Sequence, residues 1–154
     1  MSNQSRYVKM LKRVLRANAI FSGIFGLVFI FDAGPLEDFM GLNSSLGADA
    51  SSILIGIGIS LLLFSAGLFI NTSRNEMNLK EVYATIVLDV AWVAGSAILL
   101  FANLVQFTTG GWWFVAILAD VVSIFAILQF YFLRKSNIEM QNQMPQLKVQ
   151  GSEV

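Results

Sequence analysis

The sequence predicts an all-α integral membrane protein, a four-helix bundle with both termini on the same side of the bilayer. Of its 154 residues, 56% are apolar and only 13% are charged, whereas an ordinary soluble domain has about 45–50% apolar and about 25% charged residues. Four charge-poor apolar stretches approach the roughly 20 residues that a helix needs to cross a bilayer. All ten Lys and Arg residues lie at the start of the first stretch, between the second and third, or after the fourth.

The four spans are predicted at about residues 14–31, 53–70, 82–102 and 112–133. The first span begins in a basic segment, where the long Arg16 side chain can reach the lipid headgroups. Gly34 and Pro35 end this span, and apolar residues then recur at helical spacing in the first outer loop. Two interpretations of this loop stay open: a short helix lying on the membrane interface, or a polar loop with a few apolar anchors.

The other connections are short or polar. The turn NLVQFTTGG between the third and fourth spans is short enough to make them an antiparallel pair. Residues 136–154 are polar and lack apolar periodicity, and they are predicted to form a disordered tail. Residues 1–135 are therefore predicted to be one membrane domain, with no separate soluble domain.

The distribution of basic residues predicts the orientation, because Lys and Arg of short loops are retained on the cytoplasmic side. Both termini should be cytoplasmic, and the acidic first loop should be outside. The N-terminal segment SRYVKMLKRVLR alternates basic and apolar residues at helical spacing. It is predicted either to attract anionic lipid or to act only as a positive-inside anchor.

The composition excludes several classes of function. The chain has no His and no Cys, which excludes disulfides, thiolate or imidazole metal sites and histidine acid–base catalysis. No cofactor, metal site or enzymatic activity is predicted. Ten acidic residues balance the ten basic ones, so charge gives no reason to expect a nucleic-acid partner.

Small residues spaced four apart are candidates for helix packing, because close backbone approach drives association in lipid. Pairs of this kind occur in every span: Ser22 and Gly26, Gly56 and Ser60, Ala91 and Gly95, Ala119 and Ser123.

Two aspartates, Asp89 and Asp120, lie inside predicted spans, where an ionisable residue is costly and is a functional-site hypothesis by default. Helical rise places Asp89 about 10 Å from the inner end of its span and Asp120 about 12 Å from the outer end, about 8 Å apart along the membrane normal. Three interpretations stay open. In the first, the aspartates form a proton or cation relay that is aided by polar residues of the spans (Asn18, Ser60, Ser96, Ser123, Gln129). In the second, Asp89 pairs internally with Arg16, while Asp120 is protonated or hydrogen-bonded across a helix interface. In the third, one aspartate faces a base on another protein.

At LRANAIFSGIFGLVFIFDAGPLEDFMGL and LDVAWVAGSAILL the chain resembles a loose group of small bacterial four-span inner-membrane proteins that carry no assigned activity. The resemblance extends over most of residues 15–133, and its motifs are mainly hydrophobic. It implies a bacterial cytoplasmic membrane and supplies no reaction.

Three functions are consistent with these features. The first is a non-enzymatic accessory or partner-binding subunit of a membrane complex. The second is a small homo-oligomeric transporter or channel that uses Asp89 and Asp120 as the relay. The third is an enzyme acting on lipid or quinone, for which no nucleophile–base pairing or metal-ligand spacing is present.

Overall fold

A computed structural model describes residues 6–42, 50–74, 77–102 and 104–150, with side chains to residue 137. The described residues form five helices: α1 (Arg6–Phe31), α2 (Ala33–Met40), α3 (Ala50–Ser73), α4 (Leu79–Phe101) and α5 (Thr109–Gln150). Four of them, α1, α3, α4 and α5, are long and apolar enough to cross a membrane. The predicted all-α, four-span architecture is therefore confirmed, and the chain is an integral membrane protein.

The first loop contains a short helix, α2, which was one of the two interpretations of this loop from the sequence. Pro35 is tolerated because it lies in the first turn of α2, where its missing N–H would have no acceptor within the helix. Gly41 ends α2 with a φ of 76°, a left-handed conformation that suits glycine. Leu36 and Met40 are buried against the ends of α1, α3 and α5, so α2 closes one end of the bundle.

The helix α5 extends to Gln150, whereas the sequence analysis predicts a disordered tail from residue 136. The disorder of this tail stays a prediction. Residues 136–150 include four Gln and two Met residues, which favour a helix, and also Pro145, which lacks a backbone N–H and disfavours a helix interior.

The bundle has one open side. Helix α1 packs against both α3 and α5, and α5 packs against α4. Helices α3 and α4 are consecutive along the chain but make few direct contacts. The spatial order is therefore α3, α1, α5, α4, with a cleft between the first and last.

The two ends of the bundle differ in charge. At the basic end, Lys12 and Arg16 donate hydrogen bonds to the backbone carbonyls of Arg74 (2.8 Å) and Thr72 (3.3 Å) at the end of α3. At the acidic end, Ser51 of α3 donates a hydrogen bond to the buried Glu37 of α2. An apolar cluster lies near each end, one around Leu15 and one around Phe29.

Helices α1 and α3 approach most closely at Gly26 and Gly58. A Cβ atom on Gly58 would lie 2.7 Å from the Gly26 carbonyl oxygen, so the contact requires glycine. Nearby, the Ser65 hydroxyl donates a hydrogen bond of 2.7 Å to the Ala19 carbonyl. This contact bears out the general role of small residues in close packing, but on α3 the sequence analysis selected Gly56 instead of Gly58.

The remaining residues selected for packing lie in different surroundings. Ser22 is buried, while Gly56, Ser60 and Ala91 are exposed and Gly95, Ala119 and Ser123 are half-buried. A Cβ on Gly56 would meet nothing within 4 Å. A four-residue spacing shows that two residues share a face, and it does not show which face meets another helix.

Candidate functional site

Asp89 lies at the meeting point of three helices. Its Oδ2 accepts one hydrogen bond from Asn18 Nδ2 of α1 (2.8 Å) and another from Gln129 Nε2 of α5 (3.0 Å). The Ser22 hydroxyl donates to Asn18 Oδ1 at 3.3 Å. Asn18 and Gln129 are fully buried and Asp89 is 4% exposed. These four residues, termed the Asp89 cluster, join α1, α4 and α5 between the two apolar clusters.

The Asp89 cluster has acceptor capacity left over. Within the described residues, no hydrogen bond reaches Asp89 Oδ1, and this oxygen is not among the fully buried atoms that lack a hydrogen-bond partner. Gln129 Oε1 is buried and has no hydrogen-bond partner there. Both unused atoms are acceptors, so the cluster has an excess of negative potential.

A cavity of about 660 Å³ adjoins Asp89. It lies between α3 and α4, with α1 and α5 at its base, and its lining is largely apolar and rich in aromatic rings. A second cavity of about 250 Å³ follows towards the basic end and shares Phe64 and Leu88 with the first. The two cavities together form the cleft between α3 and α4.

The structure corrects the proposed internal pair of Arg16 and Asp89. The Arg16 guanidinium bonds to the Thr72 carbonyl, and Asn18 occupies the position facing Asp89. Side chains two positions apart on a helix point in directions that differ by about 200° around its axis, so Arg16 and Asn18 cannot both face the same neighbour.

Asn18 and Gln129, two of the polar residues considered for a relay, do contact Asp89. Ser60 instead donates to the Gly56 carbonyl of its own helix at 2.9 Å, and no hydrogen bond joins Ser96 or Ser123 to Asp89 in the described part of the chain. The relay residues are therefore only partly brought together.

Asp120 lies elsewhere, on an exposed face of α5. Neither a hydrogen bond nor an ion pair reaches its side chain from the described ranges. Gln129, which contacts Asp89, comes nine residues later on the same helix, about 14 Å along its axis. The structure thus separates Asp120 from the Asp89 cluster by more than the sequence analysis expected.

Asp120 is part of a regular exposed stripe, termed the α5 seam. Its residues alternate at spacings of four and three, and all are exposed: Trp113, Ile117, Asp120, Ile124, Ile127 and Tyr131. This is the repeat that helices use when they pack along their lengths in a left-handed pair. The sequence analysis missed the seam, although the spacing itself was visible.

No group of three acidic side chains able to hold a metal ion occurs within the described ranges. Comparison of the chain with family models, curated proteins and solved structures finds no match.

Proposed function

We propose that this integral membrane protein is a non-enzymatic accessory subunit of a membrane complex, and that its α5 seam binds a transmembrane helix of a partner protein. The observation that carries this proposal is the exposed carboxyl of Asp120. It lies about 16 Å from the start of α5, near the centre of a membrane about 30 Å thick. A charged Asp facing lipid there costs about 2.5–3.5 kcal/mol or more, and a bound partner relieves this cost.

The residues around Asp120 support a helical partner. Four large apolar side chains of the seam, including Ile117 and Ile124, are each more than half exposed. A repeat of 3.5 residues keeps such a stripe facing a neighbouring helix along its whole length. One polar residue within an apolar seam specifies the register of the pair, since only one alignment satisfies it.

The required chemistry favours a partner of different sequence over a second copy. Copies in one membrane share an orientation, so identical residues lie at identical depths. The nearest base on α5 is Arg134, fourteen residues from Asp120 and about 21 Å along the helix. A second copy would therefore bring another carboxyl to Asp120, whereas a different protein can provide Lys, Arg or an amide at that depth.

The proposal includes a bacterial cytoplasmic membrane with both termini in the cytoplasm. The collection of Lys and Arg at one end of the bundle supports this orientation, and the resemblance to small bacterial four-span proteins supports the location. At the basic end, the N-terminal segment of α1 would contact anionic headgroups. A relay through both aspartates has no comparable support, because about 14 Å of α5 separates Asp120 from the Asp89 cluster.

Cross-linking in native membranes tests the seam, and the absence of Cys makes single-cysteine variants straightforward. Ile124→Cys places a thiol on the seam, and Ile24→Cys places one on an equally exposed face of α1 (55% and 54%). After labelling with a benzophenone maleimide and illumination, we expect Ile124→Cys to cross-link to one partner protein and Ile24→Cys to give none. Adding Asp120→Leu to Ile124→Cys should lower the yield of the cross-linked product about fivefold to tenfold, because one intramembrane hydrogen bond or ion pair is lost.

Two results would contradict the proposal. One is equal cross-linking from the two faces, which would indicate random contact in the membrane. The other is an adduct between two copies of the chain, identified by mass spectrometry, which would make the seam a homodimer interface.

A further inference from the structure

The cleft between α3 and α4 has the size of a small-molecule site. Its main cavity of about 660 Å³ falls within the range of about 300–1,000 Å³ that is usual for ligand pockets. Because α3 and α4 make few contacts, the cleft opens sideways, towards the membrane interior. A compound dissolved in the bilayer can enter it there, and its apolar walls select a largely apolar body.

The charge in this cleft is unbalanced. Asn18 and Gln129 solvate Asp89 with neutral amide groups and supply no counter-charge. No ion pair joins Asp89 to any Lys or Arg of the described ranges. A nearby cation stabilises a carboxylate in a region of low dielectric. Asp89 lines the cavity, and its Oδ1 is not occupied by protein groups, so the cation can come from an occupant.

Aromatic rings strengthen the preference for a cation. Phe21, Phe25, Phe64 and Trp92 line the same cavity as Asp89. The faces of such rings carry partial negative charge and attract organic cations. An anionic lipid headgroup would be repelled by Asp89, and a small inorganic cation would leave the apolar walls unfilled.

From size, charge and lining together, we infer that the cleft between α3 and α4 binds a membrane-soluble organic monocation, with Asp89 neutralising its charge. The occupant has one delocalised or amine-type positive charge on an apolar body. The site uses none of the residues of the α5 seam, so it does not depend on the proposed partner.

Binding of tetraphenylphosphonium to the purified protein in lipid nanodiscs tests the inference. Triphenylphosphine oxide is the matched control ligand, because it has similar aryl groups and no net charge. Equilibrium dialysis should show saturable binding of the cation and at least about tenfold weaker binding of the neutral compound, since the charge pair forms in a low dielectric. Asp89→Asn should weaken binding of the cation by at least about tenfold and leave the neutral compound unchanged.

A second pair of variants probes the cavity without changing the Asp89 cluster. Gly56 lines the cavity, and a Cβ there meets nothing within 4 Å. Gly56→Leu should therefore fill the cavity without disturbing the bundle, and lower affinity for the cation by more than about tenfold. Gly95→Leu is the control, since Gly95 on α4 has equally free space and does not line the cavity. It should change the affinity less than about twofold.

The inference is overturned if wild-type protein shows no saturable binding of tetraphenylphosphonium, if triphenylphosphine oxide binds as tightly, or if Gly56→Leu binds the cation normally. If Asp89→Asn does not fold, the affinity of Gly56→Leu for the cation and the binding of the neutral ligand to the wild-type protein still test the inference. Asp120→Leu should bind the cation like wild type, which separates this test from that of the α5 seam.

Discussion

Asp89 and Asp120 are the same side chain on neighbouring spans, and their surroundings are opposite. Asp89 is on the face of α4 that meets α1 and α5, and two buried amides bond to it. Asp120 is on a face of α5 that no described helix covers. At membrane depth the charge of either residue has a high free-energy cost. The helix face that the residue occupies decides whether groups of the protein itself or of another molecule offset that cost.

This difference assigns separate roles to the two residues. Asp89 holds three helices together and leaves one oxygen free beside a cavity. Asp120 makes no hydrogen bond or ion pair within the described chain. Replacing Asp89 should therefore affect folding and ligand binding, while replacing Asp120 should affect assembly alone.

The largest expected effect on stability is that of Asp89→Leu. It leaves the Asn18 and Gln129 amides without their acceptor, and the free energy of unfolding should fall by about 3 kcal/mol, since each unpaired buried donor costs about 1–3 kcal/mol. Unfolding by SDS in mixed micelles measures this change. Asp120→Leu is the matched control and should not lower stability, because Asp120 makes no hydrogen bond or ion pair within the described residues. Equal losses in both variants would contradict the assignment of separate roles.

A somewhat smaller effect is expected at the close contact between α1 and α3. Gly58→Leu forces α1 away from α3, because even a Cβ would lie 2.7 Å from the Gly26 carbonyl. Stability should fall by about 2 kcal/mol, as in other overpacked cores. The control is Gly56→Leu, two residues away on the open face, which should be neutral or stabilising by up to about 1 kcal/mol because glycine is a poor helix former.

Combining Gly58→Leu with Asn18→Leu shows whether the contact between α1 and α3 is coupled to the Asp89 cluster. If the position of α1 sets the hydrogen bond to Asp89, the losses from Gly58→Leu and Asn18→Leu should not add. Strict additivity of the two changes in unfolding free energy would indicate that the glycine contact and the cluster are independent.

The smallest effects distinguish the two amides of the Asp89 cluster. Asn18→Leu removes a donor to Asp89 and the acceptor of Ser22, and should cost about 1–2 kcal/mol. Gln129→Leu removes one donor but also removes the unpartnered Oε1, so its cost should be only about 0.5 kcal/mol. The same SDS titration compares them. A larger loss at Gln129 would show that its Oε1 is satisfied in the membrane.

Much of the fold was predictable because it depends on local properties of the chain. Four spans follow from the length and hydropathy of each segment, and the break before α2 follows from Gly34 and Pro35. The two intramembrane aspartates were also identified, since a charge in an apolar stretch is visible without any knowledge of neighbours.

The partners of each side chain were not predictable in the same way. From the sequence, Gly56 was predicted to pack against another helix, whereas in the structure Gly58 does so. Likewise, Arg16 was considered as the partner of Asp89, whereas Asn18 is the residue that bonds to it. Both errors concern residues two apart, which lie on nearly opposite faces of a helix.

Hydropathy and charge along the chain were enough to identify the spans, the basic end and the two acids at membrane depth, because both properties belong to each segment alone. The enclosure of Asp89 beside a cleft and the outward position of Asp120 depend instead on how the helices pack. Each helix can rotate about its axis without changing its hydropathy. That rotation is selected by close contacts between distant segments, such as Gly26 with Gly58.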